Sequence, residues 1–139
     1  MINQPPSIPA QRTILVVDDE PAVRRVLERA LAREGYRVIG AASAETAYEL
    51  LASEPADAVL LDVQLPATSG LALYLAILHR DPALSGRIAI MTGDAEAEPV
   101  RAWLHHNPCT VLKKPFDLKE IVAWARGVLE RMDRQTGNG

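Results

Sequence analysis

The sequence predicts an α/β fold in which a five-stranded, doubly wound parallel sheet is covered by helices on both faces. Five short apolar or β-branched runs alternate with five segments that repeat apolar residues at helical spacing. The third run, residues 58–62, is apolar at consecutive positions until its final aspartate, which is typical of a strand buried on both faces. A proline soon after this run prevents the strand from continuing.

The first half of the chain supplies two strands and two helices. Residues 13–17 form the first predicted strand, and a helix with arginines on its outer face begins at Pro21, because proline suits the first turn of a helix. Gly35 is expected just past the end of this helix. Residues 37–41 form a weaker second strand, and Ser43 is predicted to cap a second helix that stops near the next proline.

The second half supplies three more strands and three more helices. The fourth helix has the least regular pattern, and Pro99 is placed in its first turns. Asp117 and Glu120 have the capping-box spacing, which predicts the start of the last helix. The predicted strands are residues 58–62, 87–92 and 110–113, and the predicted helices are residues 71–79, 95–106 and 118–132.

This alternation requires right-handed crossovers between parallel strands. For one domain of this size, a flavodoxin-type sheet with strand order 2-1-3-4-5 fits best. The first and third strands are then neighbours. Because ligands bind beyond the carboxyl ends of such strands, Asp18, Asp19 and Asp62 are expected to meet at the site.

Length and composition limit the possible functions. The 139 residues fit one domain, predicted over residues 13–132, with a flexible arm at 1–12 and a flexible tail at 133–139. A net charge of -3 offers no basic surface to nucleic acid or anionic membranes, and no apolar run is long enough to span a membrane. Cys109 is the only cysteine, which excludes an intrachain disulfide and suits a reducing compartment. We therefore expect a cytoplasmic protein.

The three aspartates indicate a cation site. Carboxylates that converge repel one another unless protons or a cation intervene, and hard oxygen ligands suit Mg²⁺. Two neighbouring strand ends add polar groups: Thr92 could donate to an oxygen placed on Asp62, and Lys114 could bring its ammonium back across the site. Each residue also has a simpler interpretation, because Asp18 and Asp19 could merely cap the first helix and the others could be solvated.

Taken together, four motifs resemble the receiver domain of bacterial two-component response regulators. The resemblance extends from Thr13 to Met132, nearly the whole chain. It implies a stand-alone, chemotaxis-type receiver or one excised from a longer protein. The motifs are Val17-Asp18-Asp19-Glu20-Pro21, Leu61-Asp62-Val63-Gln64-Leu65-Pro66 with Gly70, Met91-Thr92-Gly93 and Lys113-Lys114-Pro115-Phe116.

The resemblance implies a phospho-accepting signalling module that does not turn over external substrates. Asp62 would accept a phosphoryl group from a sensor histidine kinase or a histidine phosphotransfer protein. Asp19 would bind Mg²⁺ directly and Asp18 through a water, with Asp62 and the backbone carbonyl of Gln64 completing the protein ligands. Thr92 would then follow the phosphoryl oxygens and repack the face of the fourth helix, fifth strand and fifth helix for a downstream partner or a weak homodimer.

Two departures from the family keep other interpretations open. Val111 stands where the family usually has a tyrosine or phenylalanine that swings inward, and the turn at residues 107–109 is altered. Both favour a phosphorylation-independent binding module of the same fold. A Mg²⁺-dependent phosphohydrolase is a further alternative, opposed by Gln64 where a second aspartate would be expected. Trp103 and Trp124 would be core residues or, if exposed, anchors for a partner.

Overall fold

The computed structural model of the chain describes residues 11–137, in which five strands alternate with five α-helices. No helix in this range is long and apolar enough to cross a membrane. The strands are β1 (Thr13–Val17), β2 (Arg37–Ala41), β3 (Ala58–Asp62), β4 (Ile88–Thr92) and β5 (Thr110–Lys113). The helices are α1 (Pro21–Arg33), α2 (Ala44–Ser53), α3 (Gly70–Arg80), α4 (Val100–His106) and α5 (Leu118–Gly137), with a short 3-10 helix (Pro82–Leu84) after α3.

The sheet has the predicted topology. Neighbouring strands are parallel and their order is β2-β1-β3-β4-β5, which confirms the doubly wound, flavodoxin-like fold. Successive side chains of a strand point to opposite faces, so Ile14 of β1 packs with Leu27 of α1 and Ile121 of α5. Leu15 faces the other side, which is covered by α2, α3 and α4. Both faces of the central strands are therefore buried.

The local signals read from the sequence operate as expected at three helix ends. Pro21 is the first residue of α1. Gly35 follows that helix with φ of +94°, a conformation that glycine adopts without steric cost. The Ser43 hydroxyl accepts a hydrogen bond from the Thr46 amide at 3.1 Å and so caps α2.

Helix α4 begins later than predicted. The sequence pattern predicts a start at residue 95, but the helix begins at Val100 with Pro99 as its N-cap residue. The reason is local: a proline disfavours helical geometry in the residue before it, so Glu98 cannot extend the helix backwards. The start predicted at residue 95 is wrong, and residues 93–99 form an irregular loop beside the site.

Helix α5 is longer than predicted. It continues past Met132 to Gly137, because residues 133–136 include no proline or glycine to end it. Asp133, in the predicted tail, accepts a hydrogen bond at 2.8 Å from Nε of Arg12, in the predicted arm. These parts of the two predicted flexible segments thus contact each other. Residues 1–10 of the arm and 138–139 of the tail lie outside the described residues.

Candidate functional site

The carboxyl ends of β1, β3, β4 and β5 form one edge of the sheet, and this edge carries the predicted site residues. Asp62 and Thr92 are the last residues of β3 and β4, whereas Asp18 and Lys114 directly follow β1 and β5. Three of these residues are buried: the exposed fraction is 0% for Asp18, 6% for Asp62 and 7% for Thr92. The strand order thus brings together residues that are up to 96 positions apart in the chain.

The ammonium of Lys114 bridges two buried carboxylates. Its Nζ atom lies 2.9 Å from Oδ2 of Asp18 and 2.8 Å from Oδ2 of Asp62. The second oxygen of each carboxylate accepts a backbone hydrogen bond, Asp18 from the Glu20 amide at 2.9 Å and Asp62 from the Gln64 amide at 3.0 Å. Buried carboxylates need such partners, because desolvation of an unpaired charge is costly.

Burial and pairing shift the pKa values of this pair. Burial raises the pKa of Asp62 above its ordinary value, although the hydrogen bonds from Lys114 and the Gln64 amide act to lower it. Burial alone would lower the pKa of Lys114. Its hydrogen bonds to Asp62 and Asp18 favour the charged form, and the pKa of Lys114 is raised overall. The site therefore favours the protonated form of Lys114 and opposes ionisation of Asp62.

Three carboxylates at this edge could hold a cation. Asp18, Asp19 and Asp62 each offer an oxygen, and these oxygens lie within 4.8 Å of one another. Asp19 is exposed and lines a cavity of about 290 Å³ together with Asp62, Gln64, Thr92 and Lys114, among others. An oxygen-only donor set that opens to water fits Mg²⁺, which keeps several waters in its shell. The residues present thus suit the metal that the sequence predicts.

Thr92 lies beside this cavity, but its hydroxyl is engaged with its own loop. Oγ1 accepts a hydrogen bond from the Asp94 amide at 3.2 Å. The Thr92 carbonyl accepts one from the Lys114 amide at 2.8 Å, which joins the ends of β4 and β5. This bond uses an acceptor lone pair of Oγ1, so the hydroxyl proton can still be donated to an oxygen placed on Asp62.

Gly70 has a role that its place in the sequence motif did not specify. A Cβ atom at this position would lie 1.9 Å from the backbone oxygen of Asp62, too close for any other residue without a backbone shift. The Gly70 amide also donates to the Val63 carbonyl at 2.8 Å. The start of α3 therefore packs directly against the end of β3. The sequence predicts Gly70 in the loop before a helix at residues 71–79, and no sequence pattern there signals the close approach of this residue to β3.

Arg24 was missed as a site residue, because the sequence shows it only as one of several arginines on α1. Its Nη1 atom donates to the backbone oxygen of Asp18 at 2.7 Å. The usable signal was its position in the first turn of α1, close to the loop that carries the acidic pair.

The predicted output face has an aromatic contact, though not at position 111. Val111 is partly buried against the core beneath α2, α3 and α4. Trp103 of α4 packs edge-on against Tyr74 of α3, with ring centroids 5.1 Å apart. Trp124 packs against the core on the opposite face of the sheet. Both tryptophans are partly buried, with Nε1 atoms that are buried and unbonded among the described residues, which favours the core interpretation over exposed anchors.

Known proteins are similar to this chain over most of its length. Residues 14–126 match the family model of the response regulator receiver domain. Response regulator MprA of Mycolicibacterium vanbaalenii is 39% identical over 127 residues, which are 91% of this chain and 54% of that protein. The DNA-binding transcriptional regulator NtrC of Escherichia coli is 35% identical over 126 residues, 90% of this chain and 26% of that protein. The chain thus spans about half of the first relative and about a quarter of the second.

The fold also has solved counterparts. The signal receiver domain of an HD domain-containing protein from Pseudomonas fluorescens Pf-5 matches with a TM-score of 0.80 at 26% identity. The match covers 94% of this chain and 96% of that one.

Proposed function

Because this chain belongs to the response regulator receiver domain family of two-component systems, we propose that Asp62 accepts a phosphoryl group from a phosphohistidine. The donor would be a sensor histidine kinase or a histidine phosphotransfer protein. The observation that carries the proposal is the placement of Asp62, a nearly buried carboxylate that contacts Lys114 within a cluster of three acidic side chains. A cytoplasmic location is part of the proposal, since a free thiol at Cys109 suits a reducing compartment.

The transfer is a displacement at phosphorus. A carboxylate oxygen of Asp62 forms the new O–P bond as the P–N bond to the donor imidazole breaks, and the electron pair of that bond stays on the imidazole nitrogen. Lys114 already bonds Oδ2 of Asp62, so its ammonium is close enough to stabilise negative charge on the arriving phosphoryl oxygens. Asp18, Asp19 and Asp62, with the Gln64 carbonyl, would hold Mg²⁺, which when bound supplies further neutralisation of phosphoryl charge.

Acceptance of the phosphoryl group would be coupled to the face formed by α4, β5 and α5. The Thr92 hydroxyl, which accepts a hydrogen bond from the Asp94 amide at 3.2 Å, would turn toward Asp62 and donate its proton to a phosphoryl oxygen, which would lengthen the bond from the amide. The loop from Gly93 to Pro99 follows Thr92 directly and ends at α4, so its movement would shift that helix. A change of this kind biases a two-state equilibrium that a downstream partner or a weak homodimer can detect.

Incubation with acetyl phosphate and Mg²⁺, followed by intact mass measurement, tests the proposal. We expect one added phosphoryl group in the native protein, none in Asp62→Asn, and none when a chelator removes the metal. Asp94→Asn is the matched control, because it changes an exposed aspartate at the same edge and should still be labelled. Labelling of Asp62→Asn equal to that of the native protein would refute the assignment.

A phosphorylation-independent binding module is the second candidate, and Val111 is the observation that favours it. A valine cannot report the state of Thr92 by ring rotation. The two candidates differ in one measurement: a phosphoryl mimic, beryllofluoride with Mg²⁺, should change the amide NMR spectrum of α4 if the chain is a switch and leave it unchanged if it is not. The phosphohydrolase alternative receives no support, because Gln64 provides an amide and no second carboxylate.

A further inference from the structure

The segment Asp18-Asp19-Glu20 is held at both ends by one residue. The Arg24 amide donates to the Glu20 carbonyl at 3.0 Å, which is the first turn of α1. The Arg24 guanidinium donates through Nη1 to the Asp18 carbonyl at 2.7 Å. Asp19 lies between these two attachment points. Its exposed carboxylate makes no hydrogen bond or ion pair with the rest of residues 11–137, so its location depends on the backbone that Arg24 holds.

We infer that Arg24 is a positioning residue for divalent-cation binding, which sets the direction of the Asp19 carboxylate through its bond to the Asp18 carbonyl. The inference rests on the proposed function in one respect, namely that the three carboxylates bind Mg²⁺. It adds a residue that does not touch the metal, the phosphoryl group or Asp62.

The surroundings of Arg24 are shaped to keep its side chain in this place. The Arg24 side chain is only 22% exposed, and its Nε atom lies 3.6 Å from Oε1 of Glu28, one turn further along α1. On β2, Gly40 leaves the necessary space: a Cβ atom there would lie 2.3 Å from Glu28 Oε1 and 3.1 Å from Cδ of Arg24. A glycine weakens a strand, so its presence opposite this pair is consistent with a need for room.

If Arg24 acted only through its positive charge, it would weaken Mg²⁺ binding, which is the opposite of the effect we infer. A cation near a Mg²⁺ site repels the metal, and removing it should make binding tighter, by up to about twofold for a partly screened charge. Loss of a positioning contact should instead weaken binding, because residues that orient metal ligands typically contribute on the order of tenfold to metal affinity. The two accounts thus predict changes of opposite sign for the same substitution.

The test is a Mg²⁺ titration of the phosphate-free protein, followed by the amide NMR shifts of Asp19 and Gln64. Arg24→Gln should weaken Mg²⁺ binding by on the order of tenfold. Arg24→Lys keeps the charge and can donate one hydrogen bond, so its Mg²⁺ affinity should fall less than that of Arg24→Gln. Arg25→Gln is the matched control: it removes the same charge from the neighbouring exposed position and should leave binding unchanged or slightly tighter.

An affinity of Arg24→Gln equal to or tighter than that of the native protein would overturn the inference. If that variant does not fold, Arg24→Met replaces it, because methionine keeps the aliphatic stem but cannot donate to the Asp18 carbonyl, and an affinity equal to or tighter than the native one would overturn the inference. The native titration separates this result from the proposed function: absence of Mg²⁺ binding by the native protein would refute the metal site itself, whereas native binding with unaffected variants refutes only the role of Arg24.

Discussion

Nζ of Lys114 lies 2.8 Å from Oδ2 of Asp62, a contact that reaches from the end of β5 across β4 to the end of β3. The same ammonium contacts Asp18, whose side chain is fully buried. The lysine therefore offsets one negative charge of the three-carboxylate cluster within the protein itself. Mg²⁺ and Lys114 would share the carboxylates, so the affinity for one should depend on the other.

Lys114→Met should destabilise the metal-free protein and tighten its Mg²⁺ binding. Removing one partner of a buried ion pair leaves uncompensated charge and typically costs about 3–5 kcal/mol, and because Lys114 is partly exposed we expect a loss of about 3 kcal/mol. Mg²⁺ should restore much of this stability. Urea unfolding with and without Mg²⁺ measures both effects. Lys113→Met, which removes an exposed lysine next to it, should change little; equal losses in the two variants would contradict the role of the bridge.

Asp62→Asn should stabilise the metal-free protein at neutral pH, and the gain should disappear in acid. Burial raises the pKa of Asp62, so between its unfolded and folded pKa values the folded state binds more protons than the unfolded state. Stability of the native protein therefore falls as pH rises through this window. Asparagine has no such penalty. Urea unfolding across acidic to neutral pH tests the sign, and a difference between the two proteins that shrinks as pH rises would contradict it.

Gly70→Ala should cost about 3 kcal/mol and impair the site as well. The new Cβ would lie 1.9 Å from the Asp62 backbone oxygen, and overpacking against backbone costs more than displacement of a flexible side chain. Gly127→Ala is the control, because its Cβ would meet only Arg131 Nη1 at 3.5 Å. Within α5 that substitution should stabilise the protein by about 0.5–1 kcal/mol. Thermal unfolding compares them, and a Gly70→Ala protein as stable as the native one would show that the contact is not tight.

Some features of the fold and site follow from sequence patterns, whereas others depend on backbone and side-chain conformation. Strand ends, the order of the sheet and the four residues at its edge could be predicted, because apolar runs and the parallel topology determine where each strand stops. The start of α4 cannot be predicted from helical periodicity, because Pro99 restricts the backbone of Glu98 and delays the helix to Val100. Arg24 could not be assigned, since its bond to the Asp18 carbonyl depends on a side-chain conformation that no spacing in the sequence records.

The switch should move the loop after β4 and helix α4, while β5 stays nearly still. Position 111 is a valine, so β5 has no aromatic ring there that changes rotamer. The aromatic contact of α4 is the one between Trp103 and Tyr74 of α3. Val111→Tyr should increase the dependence of partner binding on phosphorylation by on the order of 1 kcal/mol, the scale of one aromatic contact. Beryllofluoride titration followed by amide NMR tests this in both proteins. Shifts along β5 of the native protein as large as those in α4 would show that the moving part is elsewhere.

The central claim is that Asp62 is the residue that carries the phosphoryl group. The most direct measurement is to phosphorylate the native protein in the presence of Mg²⁺, reduce the acyl phosphate with borohydride and map the modified peptide by mass spectrometry. We expect reduction at Asp62, the last residue of β3, and unmodified peptides for Asp18, Asp19 and Asp94. Reduction at any of those three aspartates, with Asp62 unmodified, would contradict the account.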